Sequence, residues 1–181
     1  MLTGIDEVAW SELSHAYGSA EDTPHLLRQA ASDDGEVVSE ALSQLTGSLF
    51  HQGTVYPATV AAVPFLAELA YAAPHGRDEF TWMLGMLADP EHAYGKAFPA
   101  VRAAVATQVD VFVALLGDDD ATVREAAAYA VAQAGGPVDP VWARWSAETE
   151  PAVRASLALA LGRFFGTSVE SMFGDHAEGE R

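Results

Sequence analysis

The chain repeats itself, and that repetition restricts its fold more than any other property. Three stretches, "GEVVSEALSQLTGSL" from Gly35, "DATVREAAAYAVAQAGG" from Asp120 and "EPAVRASLALALGRFFG" from Glu150, carry apolar residues at helical spacing. In the first, Val38, Ala41, Leu42, Leu45 and Leu49 share one stripe while Glu40, Ser43 and Gln44 fall off it. The second repeats the stripe with Val123, Ala126, Ala127, Ala130, Val131 and Ala134 and stops at two glycines, and the third repeats it with Val153, Leu157, Leu161 and Phe164. Each follows an acidic turn, "SDDGE", "GDDDAT" or "AETEPA", whose carboxylates suit a helix N-terminus. Before each turn stands a shorter apolar segment, beginning at Pro24, Val111 and Pro140, and "PFLAELAYAA" before "RDEFTWMLGML" makes a fourth, less regular copy. Helix pairs recurring every ~40 residues predict an all-α solenoid, in which each pair buries its apolar side only against its neighbours.

The third copy is specific. "LLGDDDATVREAAAYAVAQAGG" closely resembles a HEAT repeat, with Asp118, the Val123-Arg124 pair, Ala127 and Gly135 where that motif uses them, and "EPAVRASLALALG" resembles the second half of another. The copy from Gly35 has "VV" in place of "VR", and the copy formed by "PFLAELAYAA" and "RDEFTWMLGML" matches by hydrophobic pattern alone. With "HAYGSAEDTPHLLR" and "FHQGTVYPATVAAVPFLAEL", the chain up to about Gly166 is similar to HEAT-repeat proteins of the actinobacterial kind. The resemblance implies a short right-handed α-solenoid of about four HEAT-like hairpins, serving as a scaffold for macromolecular contacts, and it supplies no reaction. The expected organisation is one domain over 1–166, with an N-terminal cap at 1–22 and repeats at about 23–50, 57–88, 108–135 and 138–166. Residues 167–181 lose the periodicity and are expected to form a flexible acidic tail. Between the second and third copies, "EHAYGK" is expected to be a flexible loop, followed by an extra helix from Pro99. Arg124 and Arg154, each after a buried Val, are expected to reach the acidic turn of a neighbouring repeat as structural ladder residues.

Charge and composition narrow the function. The net charge is −17, from 26 acidic against 9 basic residues, and the basic residues are scattered singly. Such a surface repels nucleic acid and anionic membranes and favours a basic partner, although charge also serves solubility alone. The absence of cysteine excludes disulfides, thiolate zinc sites and cysteine nucleophiles. The start, "MLTGIDEVAW", is acidic where a secretion signal is basic, and no apolar run reaches the roughly 18 residues of a membrane span, so a cytoplasmic location is expected. The six histidines lack the spacing of a helical zinc site, and Asp118, Asp119 and Asp120 lack the alternating ligands of a calcium loop. No metal, no cofactor and no catalytic residue is assigned.

Two sets of residues remain as candidates. The stacked second helices should present Glu36, Glu40, Gln44, Glu125, Tyr129 and Gln133 on a curved acidic face, which suits a non-enzymatic scaffold that grips a basic protein. An immunity or antitoxin protein and an adaptor are the concrete versions of that reading. The alternative is a small-ligand site or an enzyme built on "HQGTVYPAT", with His51, Gln52, Thr54 and Tyr56, together with His15 and Tyr17 of "SHAYGSAED". That loop has a structural account as well: Gly53 turns the chain, Thr54 or Tyr56 satisfies backbone groups, and Pro57 starts a helix. Trp142 and Trp145 share a helix face in the last unit, which no further repeat covers.

Overall fold

The computed structural model describes residues 1–166, so the expected tail at 167–181 lies outside the described residues. Among the described residues nine α-helices carry the fold: α1 (Thr23–Gln29), α2 (Gly35–Leu49), α3 (Pro57–Ala72), α4 (Arg77–Ala88), α5 (Phe98–Ala106), α6 (Val109–Leu115), α7 (Ala121–Gln133), α8 (Val138–Ala147) and α9 (Pro151–Phe165). Two short antiparallel hairpins interrupt them, β1 (Ser14–His15) with β2 (Gly18–Ser19) and β3 (Phe50–His51) with β4 (Thr54–Val55). The architecture is all-α, and its helices pack as α1 on α2, α3 on α4, α6 on α7 and α8 on α9.

Local chemistry explains where these helices start. Asp34 and Asp120 accept the N–H of Glu36 and Thr122, both at 2.9 Å, and so cap α2 and α7 as the acidic turns suggest. The third turn works differently. Pro151 opens α9, and the turn N–H groups of Thr149 and Glu150 are taken by the side chain of Glu148, at 2.9 and 3.0 Å. The segment from Pro99 forms α5, which packs on α3 and α4 and fills the space between the second and third pairs.

Packing is tightest along α4, α7 and α9, the second helices of the last three pairs. Small residues allow it. A Cβ added to Gly85 of α4 would stand 2.5 Å from the Tyr129 ring of α7 and 3.4 Å from the Ala130 Cα, and Ala126, Ala127 and Ala130 of α7 are fully buried. The first pair joins the rest through α1 on α3 and through Thr46 beside Met83, 3.8 Å apart. Residues 1–20 close the N-terminal end: the Trp10 indole donates to the Ile5 carbonyl at 2.8 Å and its ring packs on Phe65. Among the described residues no single helix is long and apolar enough to cross a membrane; α5 and α6 together are long and apolar but are bent by 55° and bury Val101, Val105, Phe112 and Leu115 in the core.

A ladder of arginines ties the turns together. Arg124 donates to both carboxylate oxygens of Glu148, at 2.9 and 3.2 Å, and to the carbonyls of Asp118 and Asp119 in its own turn. Arg154 departs from the expectation: it donates to the carbonyls of Trp145 in α8 and Glu148 in the turn before its own helix and lies over the Trp145 ring, so it braces its own repeat and reaches no neighbouring turn. Arg77, at the start of α4, adds an earlier rung by pairing with Asp118 through both amino nitrogens.

Candidate functional site

The His51 stretch folds as a hairpin with a two-residue turn. Gln52 and Gly53 both have positive φ, 49° and 84°, which is the type I′ geometry that matches the twist of paired strands. The segment "EHAYGK" is held against this hairpin, correcting the expectation of a flexible loop. Tyr94 N–H donates to the Gly53 carbonyl at 2.9 Å, Val55 N–H donates to the Tyr94 carbonyl at 3.1 Å, and the Tyr94 hydroxyl donates to the Gln52 carbonyl. The approach is so close that a Cβ on Gly53 would lie 2.6 Å from the Tyr94 ring and 2.7 Å from the His92 carbonyl. Gly53→Ala combines that overlap with a left-handed backbone, and is expected to cost about 2–4 kcal/mol, read from the midpoint of urea unfolding.

The cap at the start of α3 belongs to Thr59, a residue the loop reading passed over. Its hydroxyl accepts the Tyr56 N–H at 2.9 Å and donates to the Leu49 carbonyl at 2.6 Å, joining the end of α2 to the start of α3. Thr54 and Tyr56 are half-buried, and Gln52 is exposed.

The two histidine loops meet. Tyr17, in the turn between β1 and β2, places its hydroxyl 3.2 Å from His51 Nδ1, with the rings edge to face. His15 is buried and has no nitrogen to spare: Nδ1 accepts the Tyr17 N–H at 3.1 Å, so Nε2 carries the proton and donates to Asp22 at 2.9 Å. His51 Nδ1 also faces the Gly47 carbonyl at 3.1 Å. A carbonyl only accepts, so Nδ1 holds a proton. Beside this contact, Tyr17 borders an open cleft of about 390 Å³ between α1 and α2, walled also by Asp22, Leu26 and Gln44.

The expected acidic face divides in two. Glu36, Glu40 and Gln44 are exposed along α2, with Gln44 donating to Glu40 at 2.7 Å. Glu125 of α7 is half-buried and accepts from Ser156 of α9 at 3.2 Å. Tyr129 is half-buried and Gln133 is 4% exposed, because both turn toward Asp89 at the end of α4. Asp89 Oδ2 accepts from the Tyr129 hydroxyl and from Gln133 Nε2, each at 2.8 Å, and lies 3.2 Å from His92 Nδ1. Its Oδ1 accepts from Glu91 N–H at 3.0 Å and, at a long 3.4 Å, from Arg163 of α9.

Burial alone would push the Asp89 carboxyl up, but the Glu91 N–H, Tyr129, Arg163 and His92 together hold it below the ordinary carboxylate value. Burial and the Asp89 hydrogen bond push the Tyr129 phenol far above its usual range. Over this buried carboxylate lies a cavity of about 310 Å³, walled by Trp82, Tyr129, Gln133, Leu159 and Arg163. Trp82 and Tyr129 stack with ring centroids 4.7 Å apart. Residue spacing did not single out Asp89, His92 or Arg163. The available signal was Tyr129 and Gln133 at i, i+4, two hydrogen-bonding side chains in the Ala-rich second half of α7.

At the end of the stack Trp142 is 50% exposed and leans on half-buried Trp145 at 5.4 Å. Among the described residues no cluster of three or more His, Asp or Glu is placed to hold a metal ion. Neither a curated protein nor a solved structure matches the chain significantly. The HEAT repeat family matches residues 109–134, which cover α6 and α7. Helix pairs pack on either side of that match, so α6 and α7 form a HEAT repeat inside an all-α stack of helix pairs.

Proposed function

We propose that this protein is a non-enzymatic scaffold that binds a basic protein through the solvent-facing sides of its second helices. HEAT repeats are helical stacks that mediate protein contacts. The observation that carries the reading here is the exposed row Glu36, Glu40 and Gln44 on α2, with half-buried Glu125 on α7 as a separate acidic position, in a chain of net charge −17. A rigid acidic surface speeds capture of a cationic partner and rejects anionic ones. An immunity or antitoxin protein, covering the basic active site of a toxin, uses these properties, and so does an adaptor. Direct nucleic-acid and membrane binding are not part of the proposal. Affinity capture at low and high salt identifies the partner, and Glu40→Lys with Glu125→Lys tests the surface. Each reversal is expected to weaken binding about tenfold at low salt and less at high salt; unchanged affinity in the double variant rejects the acidic-face reading.

A second reading rests on the contact between Tyr17 and His51. His51 Nε2 and the Tyr17 hydroxyl offer hydrogen bonds to a small ligand, while His15 is spent on Asp22 and on the Tyr17 backbone. If this pair is a ligand site, some compound in a metabolite panel raises the melting temperature of the native protein and fails with His51→Ala. A panel without any such compound removes the reading.

A further inference from the structure

We propose that the cavity between α4, α7 and α9 receives an arginine side chain of the protein partner. This rests on the scaffold reading above and names one contact within it. Three observations converge on a planar cation that donates N–H bonds.

The first is an unanswered acceptor. Gln133 is 4% exposed, lines the cavity, and its Oε1 has no hydrogen-bond partner. The amide cannot be turned round to remove the problem, because the Asp89 carboxylate on its other side only accepts and requires Nε2. This carbonyl is closed off as well as unpaired, so a donor seated in the cavity reaches it only as the side chains above it give way. The second is the wall. Trp82 and Tyr129 present aromatic surface to a space of about 310 Å³, at the small end of ligand-sized cavities, and Leu159, 60% exposed, forms an apolar rim. A guanidinium lies well against such rings.

The third is charge. Asp89 and Glu91 outnumber Arg163 in the lining, and Glu125 adds a further carboxylate through its bond to Ser156. Arg163 already brings a guanidinium to the mouth, but at 3.4 Å from Asp89 and with its side chain 40% exposed it is loosely held. An anionic ligand would gain from Arg163, whereas an incoming arginine competes with it. That difference in sign makes the proposal testable.

The full chain, labelled with nitrogen-15, is titrated with N-acetyl-arginine methylamide and with its neutral citrulline counterpart, while the Trp82 indole and Gln133 amide resonances are followed. The arginine probe is expected to shift both with half-saturation at about a millimolar, and the citrulline probe to bind about tenfold more weakly. Gln133→Leu should abolish the shift at Trp82. Because that change also disturbs Asp89, Leu159→Lys provides a second variant that leaves the buried bonds intact and repels the probe from the rim. Arg163→Gln should tighten binding severalfold, which a merely structural arginine would not do. Absence of any shift, equal binding of the two probes, or weaker binding in Arg163→Gln overturns the proposal. If the probe fails while Glu40→Lys and Glu125→Lys still weaken the captured partner, the arginine pocket falls and the scaffold reading stands. If the probe binds but the chain holds no basic protein at low salt, the scaffold reading falls and takes the proposed source of the arginine with it.

Discussion

Glu148→Gln is expected to lower stability by about 3–5 kcal/mol, the range for breaking a buried ion pair from one side. For a chain of this size the melting temperature should fall by roughly 10 °C. The size of the effect follows from how many donors converge on one carboxylate. Its side chain is 1% exposed, and that of Arg124 is 8% exposed. Oε2 accepts from Arg124 and from Nε and Nη2 of Arg144, while Oε1 accepts from Arg124 and from the N–H groups of Thr149 and Glu150. An amide of the same shape turns a donor toward part of that ring and leaves the Arg124 charge buried without its counterion. Arg144→Gln is the control, since Arg144 is partly exposed and Arg124 keeps its partner; it should cost below about 1 kcal/mol. Calorimetry of the two variants side by side checks the pair, and equal losses would mean that the Arg124 pairing does not hold the last two repeats together.

The same carboxylate sets the response to acid. The Arg124 hydrogen bonds hold Glu148 far below its ordinary value, and Asp118 and Asp89 are also lowered, in each case by partners that outweigh burial. Groups with depressed folded pKa values contribute stability that is complete above the unfolded value, about 4, and is lost as pH falls through the folded one. The native protein should therefore weaken steeply below about pH 4, and Glu148→Gln, with one such group fewer, should weaken less steeply.

The helices were legible because their information is local. Apolar stripes, acidic turns and Pro99 each act within a few residues, and the HEAT-like stretch around Val123 and Arg124 stands out without any neighbour. The hairpins were not legible. Two-residue strands carry no alternating pattern, and Gln52-Gly53 reads as a loop until Tyr94, 42 residues away, closes on it. Gln133 illustrates the limit at the candidate site. On α7 alone it falls on the polar side beside Tyr129, so it reads as surface. The next repeat buries it, and its partner Asp89 is 44 residues distant. Asp89 itself draws Arg163 from 74 residues away, a convergence no local pattern encodes. Glu36, Glu40 and Gln44, by contrast, needed only the helix stripe to be placed outward, and they are exposed.

Asp89→Ala should cost about 3–4 kcal/mol, because it strips the acceptor from donors on three different elements at once. The Tyr129 hydroxyl and the buried Gln133 amide lose 2.8 Å bonds, and each orphaned donor costs about 1–3 kcal/mol. Glu91→Ala, one turn away and exposed, should change stability by less than about 0.5 kcal/mol. Titration of Tyr129 separates the loss of this bond from general loosening. Burial comes first among the causes that raise its phenol, and the Asp89 bond second, so Asp89→Ala should lower the pKa toward 10 without reaching it. A group whose folded pKa is raised stabilises the protein below its unfolded value, and that contribution disappears as pH climbs above it. The native protein should therefore lose stability above about pH 10, and Asp89→Ala should lose less over the same interval. A variant as stable as Glu91→Ala, with an unmoved phenolate absorbance, would show that Asp89 joins α4, α7 and α9 in geometry only. The cavity above it would then lack the rigid floor that a defined guanidinium site requires.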